Sequence, residues 1–565
     1  MKGMLGAAVM TACLAIAATS ASSQSALTLG RTSQLEANIA PGQVDRYSLP
    51  LGRGESADLV VLQQGVDLAV DVIAPDGRLI TTVDSPNGRE GPEPVTIQAA
   101  AAGRYAIQVR PLASNEPAGR YRLTVTRLRN AAASRRWLLE RREVRQQAVD
   151  WLRARSVAIP PIRDIGLQTP MTPFDELAGR VRVLGLGEAT HGSREFADLR
   201  LALTKRLVER HGYRVIALEQ SAARIRSLLP YVNGQAALTP AVSQLLERGW
   251  MGRRSLAELV EWSRRWNIAH SRDPIRLVGV DAQDYTAALD SFGEFLAKAY
   301  GGEVTARWIS ARTELLAADA QSSVFGNSDV SAATRAFVVE IYGMLEHDQP
   351  LLRRRFDPAE VDHATEAARD LAQFADYNGN GSGAVSHNRD WYMAVNILRA
   401  LGRAGADARA VYWAHNAHVA TTSARYQPTG TVLRSALGCG YAAVGTTFGA
   451  GTFIAQVPDD PENDILEFTL PPADEDTIDS AMAELGRGAA FATWPCRIGT
   501  SGVPAWLAQP RPMRWVGGLF TPGGAPSTAT RAFTLTTDFD AVFYVPTVTA
   551  EAIPTDRRLI PARPR

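Results

Sequence analysis

Glu188 and His191 stand three residues apart in Val-Leu-Gly-Leu-Gly-Glu-Ala-Thr-His-Gly, residues 183–192. A carboxylate and an imidazole at this spacing can act as a pair. The carboxylate fixes the tautomer, and the imidazole, with a pKa near neutrality, takes a proton from water. The same groups could instead bind a divalent ion that generates hydroxide. A strand-to-helix turn with a capping Glu and a structural His would read the same way, so this segment alone leaves the alternatives even.

Three further apolar runs of strand length also stop on ionisable residues. Tyr213 to Leu218 ends in Glu219, Ile275 to Val280 ends in Asp281, and Ala408 to Ala414 ends in His415, with His418 three residues on. Continuous apolar runs suit strands covered on both faces. Open α/β sheets place their chemistry at the carboxyl ends of such strands. If the runs lie parallel in one sheet, Glu188, His191, Glu219, Asp281, His415 and His418 converge on one edge.

Other chemistries find no support. There is no Gly-x-Ser-x-Gly elbow, no His-Glu-x-x-His and no Walker-type GK[ST]. Lysine is confined to Lys2, Lys205 and Lys298, none of them in a glycine-rich loop. With 60 Lys plus Arg against 59 Asp plus Glu, no charge signal points to nucleic acid or an anionic membrane.

The positioning elements follow from pattern changes along the 565 residues. Residues 1–23 read as a signal peptide: Lys2, an apolar stretch from Met4 to Ala18, and small residues 21–23. The stretch is too short to span a membrane, and the predicted location is periplasmic or secreted. Cys439 and Cys496 then remain, able to pair or to stay free. Residues 24–128 alternate with the period of half-buried strands, and Ala-Gly-Arg-Tyr occurs twice, at 102–105 and 118–121. A β-sandwich is expected there, with Asp67 and Asp71 as strand-face charges that could also be read as calcium ligands. Residues 129–164 read as a helical linker. Residues 165–552 alternate strands and helices, predicting an α/β domain with a mostly parallel central sheet and a helical insertion over about 284–375. The fold expected is thus multidomain, a sandwich followed by this α/β domain.

Gly187-Glu188-Ala189-Thr190-His191-Gly192, Ala217-Leu218-Glu219, Gly279-Val280-Asp281 and Trp413-Ala414-His415-Asn416-Ala417-His418 together resemble the erythromycin esterase family. His387-Asn388-Arg389-Asp390, Gly445-Thr446-Thr447-Phe448 and Phe539-Asp540-Ala541 add to the likeness. Residues 24–128 resemble the pre-peptidase C-terminal type of domain. The family resemblance implies a hydrolase without metal or other cofactor, in which His191 is the general base and Glu188 orients it. It places Arg200 in the cleft, Glu219, His415 and His418 along its polar wall, and Asp281 and Asn416 toward substrate. Asp281 also fits a helix cap. The implied partner is a small-molecule or glycan ester: a macrolide, an acylated polysaccharide or another envelope ester. A divalent-metal hydrolase built on the same cluster and a non-catalytic glycan-binding protein are the alternatives.

Overall fold

The structure is a computed structural model describing residues 26–85, 88–239, 253–283, 289–321, 330–379, 385–423, 426–457, 465–521 and 529–552. The signal-like residues 1–23 lie outside the described residues. The chain divides into two compact units, Met1–Trp137 and Leu138–Arg565.

In the first unit the alternating residues build two facing sheets. One has the order Leu27–Thr28, Asp45–Leu51, Gly103–Pro111, Leu68–Ile73, Leu79–Val83. The other has the order Gln34–Ile39, Gly119–Arg129, Ser56–Gln64, Glu90–Gln98. The two Ala-Gly-Arg-Tyr repeats each open a strand, one per sheet. Tyr105, Ile107 and Val109 from one and Tyr121, Leu123 and Val125 from the other meet in a shared core. Asp71 accepts hydrogen bonds from Arg110 at 2.8 Å and from the Thr82 hydroxyl at 2.6 Å, so its carboxylate is engaged across the strands.

Among the described residues, the second unit is organised on a nine-stranded sheet. Six adjacent strands run parallel, in the order Ala541–Val548, Tyr441–Gln456, Val183–Glu188, Ala410–His415, Val215–Ser221, Arg276–Asp281. Antiparallel strands join at one side: Ala490–Thr493 beside Ala541–Val548, Ser156–Ala158 beyond it, and Ile465–Leu470 on the end of Tyr441–Gln456. The sheet is therefore mixed, with a parallel centre. Because side chains alternate across a strand, each central run feeds two cores. Leu184, Leu186, Ile216, Leu218, Val411 and Trp413 pack on one face. Val183, Val215, Ala217, Ala410, Tyr412 and Ala414 pack on the other.

Helices Leu289–Tyr300, Gly302–Gln321, Ala332–Arg355 and Pro358–Gly379 bury Phe292, Leu315, Phe337, Ile341 and Phe374 in a core of their own. The helix Ala131–Ala154 places Ala148, Val149 and Leu152 in the core beneath the sheet, and Arg145 bonds Glu484 at 2.6 Å. Part of the stretch read as a linker is thus built into the second unit. Cys439 and Cys496 form a disulfide with Cα atoms 5.9 Å apart. It closes a loop with a sequence separation of 57 residues. Such a crosslink stabilises by roughly 2–4 kcal/mol, largely by restricting the unfolded chain.

Candidate active site

Strand register brings the ionisable residues together. Glu188 and His415 are paired positions on neighbouring parallel strands. The Val215–Ser221 strand flanks His415 on its other side, and Arg276–Asp281 lies beyond, with Asp281 opposite Ser221. Across the carboxyl edge the order is Glu188, His415, Glu219, Asp281. All four side chains are buried.

After Glu188 the chain turns through residues 189–193 into the helix Arg194–His211, which Ser193 caps by accepting the Phe196 amide. The turn is held from several sides. The Thr446 hydroxyl accepts the Ala189 amide at 2.9 Å, and the Val516 amide donates to the Ala189 carbonyl at 2.7 Å. Gly192 passes so close to the Ile454 backbone that a methyl group there would overlap its carbonyl.

Glu188 joins two groups. Its Oε1 lies 2.7 Å from His191 Nδ1 and its Oε2 2.6 Å from Arg200 Nη2, while the Arg200 guanidinium lies 5.0 Å from the Trp413 ring centre. A carboxylate at Nδ1 holds the ring proton on that nitrogen. Nε2 is then the basic lone pair, the tautomer a general base requires.

The His415 ring centre lies 5.1 Å from that of His191, and its edge meets Trp515. His415 Nδ1 accepts the Ala417 amide at 3.3 Å, which puts the ring proton on Nε2. That buried Nε2 has no well-formed hydrogen bond; the Ala189 carbonyl beside it accepts the Val516 amide and keeps a second lone pair toward the ring. Burial, reinforced by the neighbouring His191 and His418, pushes the His415 pKa well below the usual value against the pull of Glu219. His415 is a neutral imidazole whose Nε2–H is only weakly engaged beside the base.

Behind it sits a charge network. Arg389 donates to Asp281 through Nε at 3.0 Å and Nη2 at 2.7 Å, and through Nη2 to Glu219 at 2.9 Å. His418 Nδ1 lies 2.8 Å from Asp390 and Nε2 3.2 Å from Glu219. The other Glu219 oxygen accepts the His415 amide at 2.8 Å. Burial alone would lower the His418 pKa, but the Asp390 and Glu219 carboxylates overcome it and raise the value to about 10. His418 is therefore a cation at neutral pH. Arg389 Nη1, 3.1 Å from His418 Nε2, then faces it as a second donor, and both side chains are held by the Glu219 carboxylate. Burial would raise the Glu219 pKa, yet His418 and Arg389 hold it well below the ordinary range.

The sign of the His418 linkage is fixed. Its folded pKa of about 10 exceeds the usual 6.5, so its contribution to stability is full below 6.5 and is lost as pH rises toward 10. The wild-type thermal midpoint should fall across that window, and the fall should be shallower in His418→Asn. Equal slopes in the two proteins would reject the assignment.

Asp281 and Asn416, expected to face substrate, are engaged within the protein. Asp281 binds Arg389 and caps the Gln283 amide. The Asn416 side chain donates to the Thr446 carbonyl at 2.7 Å and accepts the Thr446 amide at 3.0 Å, fastening the His415 turn to the next strand. Arg389 and Asp390, from the His387-Asn388-Arg389-Asp390 motif, belong to the site as well. Their signal was present: Asp390, Met393, Ile397 and Leu401 share the buried stripe of the helix Val385–Ala404. The His387 and Asn388 side chains lie outside the described set.

A cavity of about 30 Å³ lies between Glu188, Arg200, Glu219, Leu256 and Trp413, room for one water. A separate groove of about 690 Å³, lined by Arg163, Arg194, Asp198, Arg487 and Pro546, includes none of the histidine cluster. Its size would suit a ligand, but the convergent buried ionisable groups are at the strand ends, so the chemistry is placed there. Among the described residues no three His, Cys, Asp or Glu side chains converge as metal ligands.

A sheet with a parallel centre, carrying paired histidines and carboxylates at its carboxyl edge, defines an α/β protein with an enzyme-like site. The chain belongs to the erythromycin esterase family, whose model matches residues 208–548. The match begins after Glu188, His191 and Arg200. Erythromycin esterase type I of Escherichia coli is 25% identical over 263 residues, 43% of this chain and 62% of that relative. Erythromycin esterase type II of Escherichia coli is 22% identical over 312 residues, 51% and 74% of the two chains. Among solved structures, a Bacillus cereus protein superposes with a TM-score of 0.60 at 19% identity, covering 72% of this chain and 99% of that one. A mutant of the erythromycin esterase EreC in its open conformation gives 0.54 at 19% identity, covering 71% and 100%. At these identities the structures attest the fold.

Proposed function

We propose that the protein is an exported hydrolase that cleaves an ester or lactone with water activated by His191. The Glu188–His191 contact carries this reading, because it leaves Nε2 as the proton acceptor. Arg200 holds the second oxygen of Glu188, so the carboxylate cannot turn away. In the reaction Nε2 takes a proton from water, and the oxygen attacks the carbonyl carbon. The His415 Nε2–H is the donor available to the oxyanion, a stabilisation that can be worth about 3 kcal/mol. The intermediate then expels the alcohol. Glu219, His418, Arg389 and Asp281 hold the His415 strand end and do not react. Family membership supports hydrolysis. Macrolide, acylated glycan and other envelope esters are the substrate classes proposed, and no nucleic-acid partner is proposed. The signal-like start supports export, and the N-terminal sandwich is proposed to be of the pre-peptidase C-terminal type.

The test is a hydrolysis screen over macrolides, acyl sugars and simple aryl and alkyl esters, with and without chelator, on the wild-type protein and His191→Asn. Turnover that survives chelation and disappears in the variant is expected. Activity lost to chelation would favour the metal-dependent alternative. Activity kept by the variant would reject His191 as the base.

A further inference from the structure

Residues 549–551 lie just past the family-matched region and run antiparallel to the His191 turn. The Arg194 amide donates to the Thr549 carbonyl at 2.9 Å, Ser193 bridges Ala550, and the Glu551 amide donates to the Gly192 carbonyl at 2.9 Å. The Ala550 amide reaches the Thr452 hydroxyl at 2.9 Å, so the segment is pinned on its other side too. Glu551 is thereby fixed opposite the residue that follows the base. The residue is 5% exposed, and its Oε2 is buried without a hydrogen-bond partner. The catalytic scheme above gives this carboxyl no task.

We propose that Glu551 is the proton donor of this site, protonating the alkoxide oxygen of the departing alcohol. The proposal rests on the hydrolase reading and adds the step that reading lacks. As the tetrahedral intermediate collapses, the C–O bond breaks and its electron pair stays on the leaving oxygen. The Glu551 carboxyl proton passes to that oxygen. The carboxylate then regains a proton from solvent, and His191 releases to solvent the proton it took from water, so the cycle closes with ester plus water giving acid plus alcohol.

The surroundings favour an acid at Glu551. Burial pushes its pKa up, and the carboxylates of Asp198 and Glu188 add to the rise, while Arg254 and Arg194 oppose it. Those arginines are drawn to Asp198, Arg254 through a direct ion pair and Arg194 at 3.6 Å. Glu188, by contrast, is bonded to Arg200 and His191. Two carboxyls in such different settings suit opposite tasks, one as anion and one as acid.

Leaving-group dependence tests this. An alkyl acetate has a poor leaving group that needs a proton, whereas a nitrophenyl acetate does not. Glu551→Gln should lower kcat on the alkyl ester by about 100-fold and on the aryl ester by only a few-fold. The fall of alkyl-ester kcat/KM at high pH should also vanish in the variant. If Glu551→Gln does not fold, Glu551→Asp is read instead, where a reduced alkyl-to-aryl ratio supports the donor and an unchanged ratio overturns it. Equal losses on both esters, or no loss on the alkyl ester, overturn the proposal. His191→Asn should lose both esters alike. Hydrolysis of neither ester by the wild-type protein would overturn the hydrolase reading and the donor together.

Discussion

His191→Asn is expected to lower kcat on a model aryl ester by about 10³-fold, with KM and the thermal midpoint little changed. Asparagine can still offer a donor to Glu188, so the ion pair with Arg200 stays satisfied and the turn keeps its backbone bonds. What disappears is the basic Nε2. Residual turnover should then rise with hydroxide concentration, because water must be ionised by the solvent. Glu188→Gln should be nearly as damaging for a different reason. The neutral amide no longer opposes the Arg200 charge and can turn either end to His191, losing control of the tautomer. Activity within tenfold of wild type in His191→Asn would remove the base from the scheme.

The residues at issue were legible in the sequence because strand ends are local features. A run such as Val-Leu-Gly-Leu-Gly-Glu shows both the buried strand and the group it delivers. Strand order was not legible. The Ala410–His415 strand follows Arg276–Asp281 in the chain yet inserts between Val183–Glu188 and Val215–Ser221, and no local pattern encodes that crossover. The insertion decides the chemistry, since it sets His415 beside Glu188. The antiparallel side was hidden because Ser156–Ala158 and Ala490–Thr493 are too short to show a period. For Asn416 the family resemblance implies a substrate contact, and the fold adds that its amide is bonded to Thr446. An arginine at a helix start carries no local sign of burial, and only the tertiary fold surrounds Arg389 with Asp281 and Glu219.

Arg389→Met is expected to destabilise the second unit by about 3–5 kcal/mol, read from chemical denaturation. The Arg389 side chain is mostly buried, 14% exposed, and forks between two carboxylates at 2.7 Å and 2.9 Å. Removing it leaves Asp281 and Glu219 with uncompensated buried charge, and His418 alone cannot serve both, being held by Asp390 on its other nitrogen. Arg389→Lys should recover only part of the loss, because a single ammonium cannot reproduce the fork that Nε and Nη2 make with Asp281. The double variant Arg389→Met with Asp281→Asn discriminates between lost packing and lost charge. If unpaired charge is the cause, the second substitution removes part of the penalty, and the double variant is more stable than Arg389→Met alone. Activity should follow the same order, since Glu219 also holds the His415 backbone amide at 2.8 Å. A loss under about 1 kcal/mol in Arg389→Met, a value usual for exposed ion pairs, would show that the network does not hold the His415 strand end in place.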